Sequence, residues 1–309
     1  MIGRRTRVVL ITGYSRSGST LLARIMGEID GVVSPGELRY LWQRGLVENR
    51  RCDCGEPFLE CPFWQKVLIT AFGSAPPPDI EGILDLQRRV DRVYRIPALT
   101  HRTRDLPGDV ATYLRYHEHL YQAIEEVTGA KWIVDSSKDP SFGHVLALSK
   151  EIDLAVVHLV RDSRAVAYSW TRDKHDPGTG KSMSQQHPLR SALEWNITQW
   201  AASRLTGRVT SSLTLRYEDF VTDPKAGMRQ VLTLVGASAG PSLQEDRVHL
   251  TPGHAVSGNP MRFESGVVTI SEDDQWQEAL PASTRRLITT VTWPALSTYG
   301  YVGGAASEK

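Results

Sequence analysis

The segment Val8–Leu22 constrains the fold of this chain more than any other stretch: it reads VVLIT, then GYSRSGST, then LL. A continuous apolar run rich in β-branched residues suits a strand buried on both faces, as in a parallel sheet. That run passes directly into a turn, Gly13–Thr20, and then into a helical stretch, Leu21–Ile29. Strand, glycine turn and helix start is the arrangement in which backbone N–H groups and a helix N-terminus cradle an anion. Against the template G-x-x-x-x-G-K-[ST], Gly13, Gly18 and Thr20 match, whereas Ser19 occupies the lysine position. The loop therefore lacks the lysine that reaches a γ-phosphate, and its cation is Arg16, inside the turn. No G-x-G-x-x-G occurs there, so a dinucleotide fingerprint is excluded. The competing reading is an ordinary βα turn whose Gly and Ser residues satisfy turn geometry alone.

The rest of the chain repeats the alternation. Apolar runs at Trp132–Val134, Leu154–Val160 and Ser212–Leu215 read as strands. Between and after them, Leu84–Tyr94, Val110–Val127, Arg164–Lys174, Arg190–Leu205 and Lys225–Val235 carry apolar residues at helical spacing. The last is opened by Thr222-Asp223-Pro224, a cap followed by a proline. Strands alternating with helices predict an α/β fold, here expected as one domain over residues 1–309. Arg50–Pro78 breaks the rhythm with all the cysteines and several prolines, and reads as an insertion, a lid or a surface excursion. The polar stretch His175–Pro188 reads as a mobile loop. Gly236–Trp276 has few periodic features, and loops of that length are usually functional or disordered.

Composition narrows the function classes. In 309 residues, 36 Lys and Arg oppose 35 Asp and Glu for a net charge of +1, and 40% of residues are hydrophobic. A basic nucleic-acid coat, an acidic solvating tail and a disordered segment each require an imbalance that this chain lacks. No run approaches the ~18 apolar residues of a membrane span. The apolar run behind the basic start Met1–Arg7 is shorter than the roughly 7–15 residues of a signal peptide's core. The expectation is a cytoplasmic protein with no membrane span and no nucleic-acid partner, its oligomeric state open.

A second cation leaves a strand at Arg161, in LVRDSRAVAYS (Leu159–Ser169). An arginine at the carboxyl end of a buried strand faces the crevice where open α/β sheets bind ligands; pairing with Asp162 or capping a helix is the alternative. Ser169, about two turns along the following helix, offers a hydroxyl to the same anion. Together, SRSGSTLL (Ser15–Leu22), LVRDSRAVAYS and LRYEDFVTDP (Leu215–Pro224) resemble a sulfotransferase that uses 3′-phosphoadenosine 5′-phosphosulfate (PAPS). The landmarks run in order from residue 8 to about 276, and they are closer to the tyrosylprotein and carbohydrate branches than to cytosolic small-molecule enzymes.

The resemblance implies a three-layer α/β/α fold like that of P-loop nucleotide triphosphatases. It implies that Arg16, Ser17, Gly18, Ser19 and Thr20 hold the 5′-phosphosulfate and that Arg161 and Ser169 hold the 3′-phosphate. Glu37, in SPGEL, matches a general base, with a surface carboxylate at a helix start as the alternative. Lys138, in DSSKDP, matches a lysine near the transferring sulfuryl group, or else is a solvated lysine balancing Asp135 or Asp139. Tyr217 matches a position near adenine, or is a core tyrosine. A late loop at about 250–276 covers the donor in this family. Here Gly258 and Arg262, in SGNPMR, stand where cytosolic members carry an Arg-Lys-Gly element.

The implied reaction moves a sulfuryl group to a hydroxyl of a small molecule, sugar, lipid or natural product, and releases adenosine 3′,5′-bisphosphate. Glu37 serves as base and Arg16 and Lys138 stabilise charge, so catalysis requires no metal. A P-loop kinase-like phosphotransferase or a non-catalytic nucleotide-binding module is the alternative. Cys52, Cys54 and Cys61 have no evident fourth ligand nearby, so packing thiols or a disulfide are expected in preference to a zinc site, which takes four. Among nine histidines, His254 stands out for lying just ahead of the late loop. Trp42, Trp64, Trp170, Trp195 and Trp200 either line an aromatic acceptor cleft or fill core and lid.

Overall fold

The run Val8–Thr12 forms most of strand β1 (Thr6–Thr12), with Val8, Val9, Leu10 and Ile11 fully buried. A computed structural model describes residues 4–77, 79–100, 106–173, 175–178, 180–238, 240–241, 243–244 and 246–302. Pro78 and Lys174, the expected ends of the insertion and of one helix, lie outside them. Strand β1 is flanked by β3 (Trp132–Lys138) and β4 (Ile152–Val160), with β2 (Val32–Gly36) and β5 (Ser211–Arg216) at the edges. The order is β2-β3-β1-β4-β5 and every pairing is parallel, as the continuous apolar runs predict.

Side-chain alternation along β1 builds the layers. Val8 and Leu10 enter a core shared with the helices Pro62–Phe72 and Gly108–Thr128. Val9 and Ile11 point the other way, into a core shared with α1 (Ser19–Gly27) and the helix Pro224–Val235. Full burial of a large apolar side chain contributes ~1.5–3 kcal/mol, so both faces of the sheet are anchored. This three-layer arrangement puts the carboxyl ends of β1, β2, β3, β4 and β5 on one rim, where open α/β sheets bind ligands.

Several boundaries differ from expectation for identifiable reasons. The helix expected at Leu84–Tyr94 runs from Ile80 to Val90, because Asp79 caps it by accepting from Gly82 N at 3.0 Å. Strand β3 continues four residues beyond Val134 through buried Asp135, Ser136 and Ser137. Strand β2 escaped the apolar pattern because it is short and carries Pro35, which an edge strand tolerates. Residues 50–77 are not a surface excursion. Phe58 and Trp64 are fully buried, and the helix Pro62–Phe72 packs on Gly108–Thr128.

The polar stretch after residue 174 carries a two-stranded ladder, His175–Asp176 with Lys181–Ser182. The late region includes an antiparallel sheet of Leu243–Gln244, Arg247–Leu250 and Gly266–Thr269, whose Val248 and Leu250 pack beside α1 residues. Among the described residues, no helix is long and apolar enough to cross a membrane.

Candidate active site

The rim of the sheet opens into a cleft of ≈ 1420 Å³ that brings Arg16, Glu37, Lys138, Arg161 and Tyr217 together. Each leaves a different strand, so β1 through β5 each contribute one side of the cleft. Of the tryptophans, Trp170 lines it, Trp42, Trp64 and Trp195 fill the core, and Trp200 is exposed.

The first wall is the turn between β1 and α1. Gly13 has φ +145°, and a Cβ there would run into the Leu159 carbonyl oxygen of β4. Gly18 is the α1 N-cap at φ +88°, with no side-chain cap on the helix start. Its Cα lies so close under Tyr217 that a Cβ would strike the phenol ring. Arg16 holds φ +71° without being glycine, a strained conformation of the kind that clusters at ligand sites. Its guanidinium lies 4.8 Å from the Trp170 ring centroid and donates to Met183 Sδ at 3.4 Å. Ser19 and Thr20 line the cleft, and Thr20 Oγ1 accepts from Asn259 N at 3.1 Å. Ser17 does not line it; its hydroxyl is buried and donates to Tyr14 O at 2.6 Å.

This geometry makes Gly18→Ala costly. A residue with a Cβ in the left-handed region costs roughly 1–2 kcal/mol, and here the Cβ also displaces Tyr217. The expected outcome is a lower thermal midpoint together with weaker nucleotide binding. An unchanged midpoint and unchanged affinity would show that the close approach does not constrain the site.

The second wall carries the carboxylate. Glu37 follows β2 directly and is 4% exposed, which rules out the surface-carboxylate reading. Its Oε1 accepts from Lys138 Nζ, and its Oε2 accepts from Arg44 Nη1 at 2.8 Å and from Ser257 Oγ at 3.2 Å. Burial alone would raise the Glu37 pKa, but the charges of Lys138 and Arg44 outweigh it and hold the carboxyl below the usual range. The group is therefore ionised at neutral pH. Arg44 and Ser257 carry no motif signal in the sequence, since they reach Glu37 from a helical turn and from the distant late region.

Lys138 ends β3 at φ +69°, and its carbonyl accepts from Gly13 N at 3.0 Å and Thr12 Oγ1 at 2.9 Å. It is no solvated partner of Asp135 or Asp139. Asp139 pairs with Arg39 at 3.3 Å. Buried Asp135 accepts from Tyr121 Oη at 2.6 Å, from Ser137 N at 2.8 Å and from the Ser137 hydroxyl. Burial pushes the Asp135 carboxyl up to about 6, although those hydrogen bonds pull the other way. By also accepting from Leu38 N at 3.4 Å, Asp135 ties the β3 exit to the backbone beside Glu37.

The third wall holds Arg161, at the exit of β4. It neither pairs with Asp162 nor caps a helix, because Asp162 caps Ser163–Thr171 and binds Arg164. Arg161 instead donates to Arg16 O at 3.0 Å and meets Asp273 Oδ2 at 3.3 Å. Its guanidinium sits 4.6 Å from the Tyr217 ring centroid, and its Nε is buried without a partner among the described residues. Ser169 is buried and lines the cleft, as does Gly258. Arg262 does not line the cleft: its amino groups donate to Ala255 O at 2.8 Å and Arg51 O at 2.7 Å, making it an internal tie.

In the cleft Arg16, Arg44, Lys138 and Arg161 thus lie with the carboxylates Glu37 and Asp273, and Arg50, Arg51, Lys181, Glu48 and Asp176 add further charge to its lining. The glycine cradle and the unpartnered Arg161 Nε fit an anionic ligand spanning the β1 and β4 exits.

No family model matches the chain. It is 24% identical over 187 residues to carbohydrate sulfotransferase 2 of Mus musculus and 25% over 189 residues to that of Homo sapiens. Each match covers 48% of this chain and 35% of the relative, so it spans about a third of the curated proteins' length. In structure it is similar to the sulfotransferase domain from the curacin biosynthetic pathway, with TM-score 0.52, 18% identity, and 94% of this chain and 99% of that one covered. The sulfotransferase domain of the Synechococcus PCC 7002 olefin synthase gives TM-score 0.52 and 19% identity, covering 97% of each. The three-layer fold is the sulfotransferase fold.

Proposed function

We propose that this chain, which matches sulfotransferases at the family level, transfers a sulfuryl group from PAPS to a hydroxyl acceptor. One observation carries the reading: Arg16, Lys138 and Arg161 converge from three strand exits on a glycine-cradled cleft that also holds an ionised, buried carboxylate, Glu37. A phosphotransferase reading is weaker, because the loop carries Ser19 where a γ-phosphate lysine is needed.

When bound, the donor supplies a sulfuryl group already activated by its link to phosphate. The chain then has mainly to position the groups and stabilise charge. Backbone N–H groups at the start of α1, with Ser19, Thr20 and Arg16, hold the 5′ end. Arg161 and Ser169 hold the 3′-phosphate, and Tyr217 and Gly258 border the nucleotide. Glu37 would take the proton from the acceptor hydroxyl as its oxygen attacks sulfur, and the bond between sulfur and the 5′-phosphate oxygen would break to release adenosine 3′,5′-bisphosphate. Lys138 bridges base and electrophile. While it pairs with Glu37 it depresses the carboxylate's basicity, and an anion on its other side draws that charge away and makes Glu37 a better base. Arg16 and Lys138 supply the positive charge that a divalent ion supplies in phosphoryl transfer.

Sugar hydroxyls are the first acceptors to test, because the curated relatives are named carbohydrate sulfotransferases. Calorimetry against adenosine 3′,5′-bisphosphate and against ATP with magnesium separates donor classes. Incubation with ³⁵S-labelled PAPS and a panel of sugar, phenol and aliphatic alcohols then reads the acceptor. Tight bisphosphate binding with label transfer to a hydroxyl is expected. Binding of ATP alone would overturn the reading.

A further inference from the structure

The fold brings three thiols and an imidazole to one point outside the cleft. Cys52, Cys54 and Cys61 lie in the stretch between β2 and the helix Pro62–Phe72, and His254 arrives from the late region 193 residues after Cys61. Their ligand atoms all lie within 4.8 Å of one another. Cys61 Sγ and Cys52 Sγ stand 3.3 Å and 3.8 Å from His254 Nδ1, and Cys54 Sγ stands 3.6 Å from Cys61 Sγ. All three cysteines are free thiols, so of the two expected arrangements, packing thiols or a disulfide, the disulfide is not formed. The fourth ligand that the local sequence lacked is supplied by tertiary structure.

We propose that Cys52, Cys54, Cys61 and His254 bind one structural Zn²⁺. With Zn–S near 2.3 Å and Zn–N near 2.0–2.1 Å, a tetrahedron has edges of ~3.8 Å between sulfurs and ~3.6 Å between sulfur and nitrogen. The three separations given lie within ~0.3 Å of those edges, and all four ligand atoms stay within 4.8 Å of one another. Three thiolates and one imidazole select zinc over oxygen-seeking calcium or magnesium. Four protein ligands close the site, which marks it as structural rather than catalytic.

The surroundings hold the ligands in place. Phe63 stacks on the His254 ring at 4.7 Å, and Trp64 Nε1 donates to the His254 carbonyl at 2.9 Å. Asp53, between two of the cysteines, accepts from Ala255 N at 2.6 Å. Cys52 and Cys61 are buried, while Cys54 faces solvent and offers a route for the metal.

The site's position gives the metal a consequence for the cleft. Two residues beyond His254, Val256 N donates to Pro35 O at 3.0 Å. Ser257 then contacts both Glu37 and Arg44, and Asn259 N reaches Thr20. A zinc ion joining residues 52–61 to residue 254 therefore braces the segment that positions the Glu37 carboxylate.

The test is elemental analysis of the whole chain purified without a metal-affinity tag or chelator. It is followed by Co²⁺ exchange, which reports tetrahedral thiolate coordination through a charge-transfer band. About one zinc per chain is expected, with a fall in thermal midpoint when a strong chelator strips it. In Cys54→Ser, the substitution nearest solvent, the chelator concentration that removes half the zinc should fall at least ~10-fold, since even outer partners of a zinc ligand are worth that much. Iron in place of zinc would overturn the proposal. So would wild-type protein that takes up neither Zn²⁺ nor Co²⁺, or a Cys54–Cys61 disulfide in freshly purified, metal-free protein. The cobalt titration needs no variant, so misfolding of Cys54→Ser does not remove the test.

Discussion

Glu37→Gln is expected to lower turnover by ~10²–10⁴-fold, the usual contribution of a positioned general base, while adenosine 3′,5′-bisphosphate still binds. Glutamine keeps the shape and the acceptor oxygen but cannot take a proton from a hydroxyl. It also leaves Lys138 and Arg44 facing each other without the charge between them. Breaking a buried ion pair costs ~3–5 kcal/mol, and the partial exposure of Arg44 places this case at the low end. Nucleotide affinity therefore has to be measured beside turnover, since a misfolded variant loses both and a variant lacking only its base loses one. A folded, nucleotide-binding Glu37→Gln enzyme with near-wild-type turnover would remove Glu37 from the mechanism.

The same carboxylate fixes a pH dependence. Its pKa is held below the usual 4.5, so the acid limb of kcat/KM should fall below that pH in the wild type. The sign for stability follows from the same depression. Glu37 contributes stability above the unfolded-state value and loses that contribution as pH falls through the lower folded-state value. Acid unfolding of Glu37→Gln, followed by circular dichroism, should therefore lack this part of the pH dependence.

The rim of the candidate site is legible in the sequence to the extent that its chemistry is local. Strands β1 and β4 are buried on both faces, so their apolar runs are continuous and the residues that leave them, Arg16 and Arg161, are easily placed. The apolar pattern of β3 ends at Val134 because Asp135, Ser136 and Ser137 are polar, and the fold buries them by supplying hydrogen-bond partners. Arg44, Ser257 and Asp273 carry no local motif signal. Ser257 and Asp273 act through contacts that close only when distant segments meet, 220 residues from Glu37 and 112 from Arg161. Arg44 is seven residues from Glu37 and reaches it only because Leu41–Val47 coils into a helical turn. Arg262 shows the converse. A basic residue beside a glycine in a late loop fits the family pattern, yet its guanidinium is committed to two backbone carbonyls.

Arg161→Ala is the sharpest test of how the donor is held. In the structure the guanidinium is 7% exposed, ion-paired with Asp273 and stacked near Tyr217, and its Nε has no partner among the described residues. Asp273 also meets Arg172 at 3.5 Å, so an incoming phosphate competes with a carboxylate already shared between two arginines. A phosphate gains charge-assisted hydrogen bonds from Arg161 worth ~1.5–3 kcal/mol each. Their loss should weaken adenosine 3′,5′-bisphosphate binding by ~10–100-fold. Binding of adenosine 5′-phosphate, which lacks the 3′ group, should change far less, because the proposed arrangement assigns the 5′ end to the turn before α1. Comparing the two nucleotides by calorimetry cancels any general loosening of the cleft. Equal weakening of both would mean that Arg161 supports the Arg16 backbone through its hydrogen bond at 3.0 Å and does not read the 3′-phosphate.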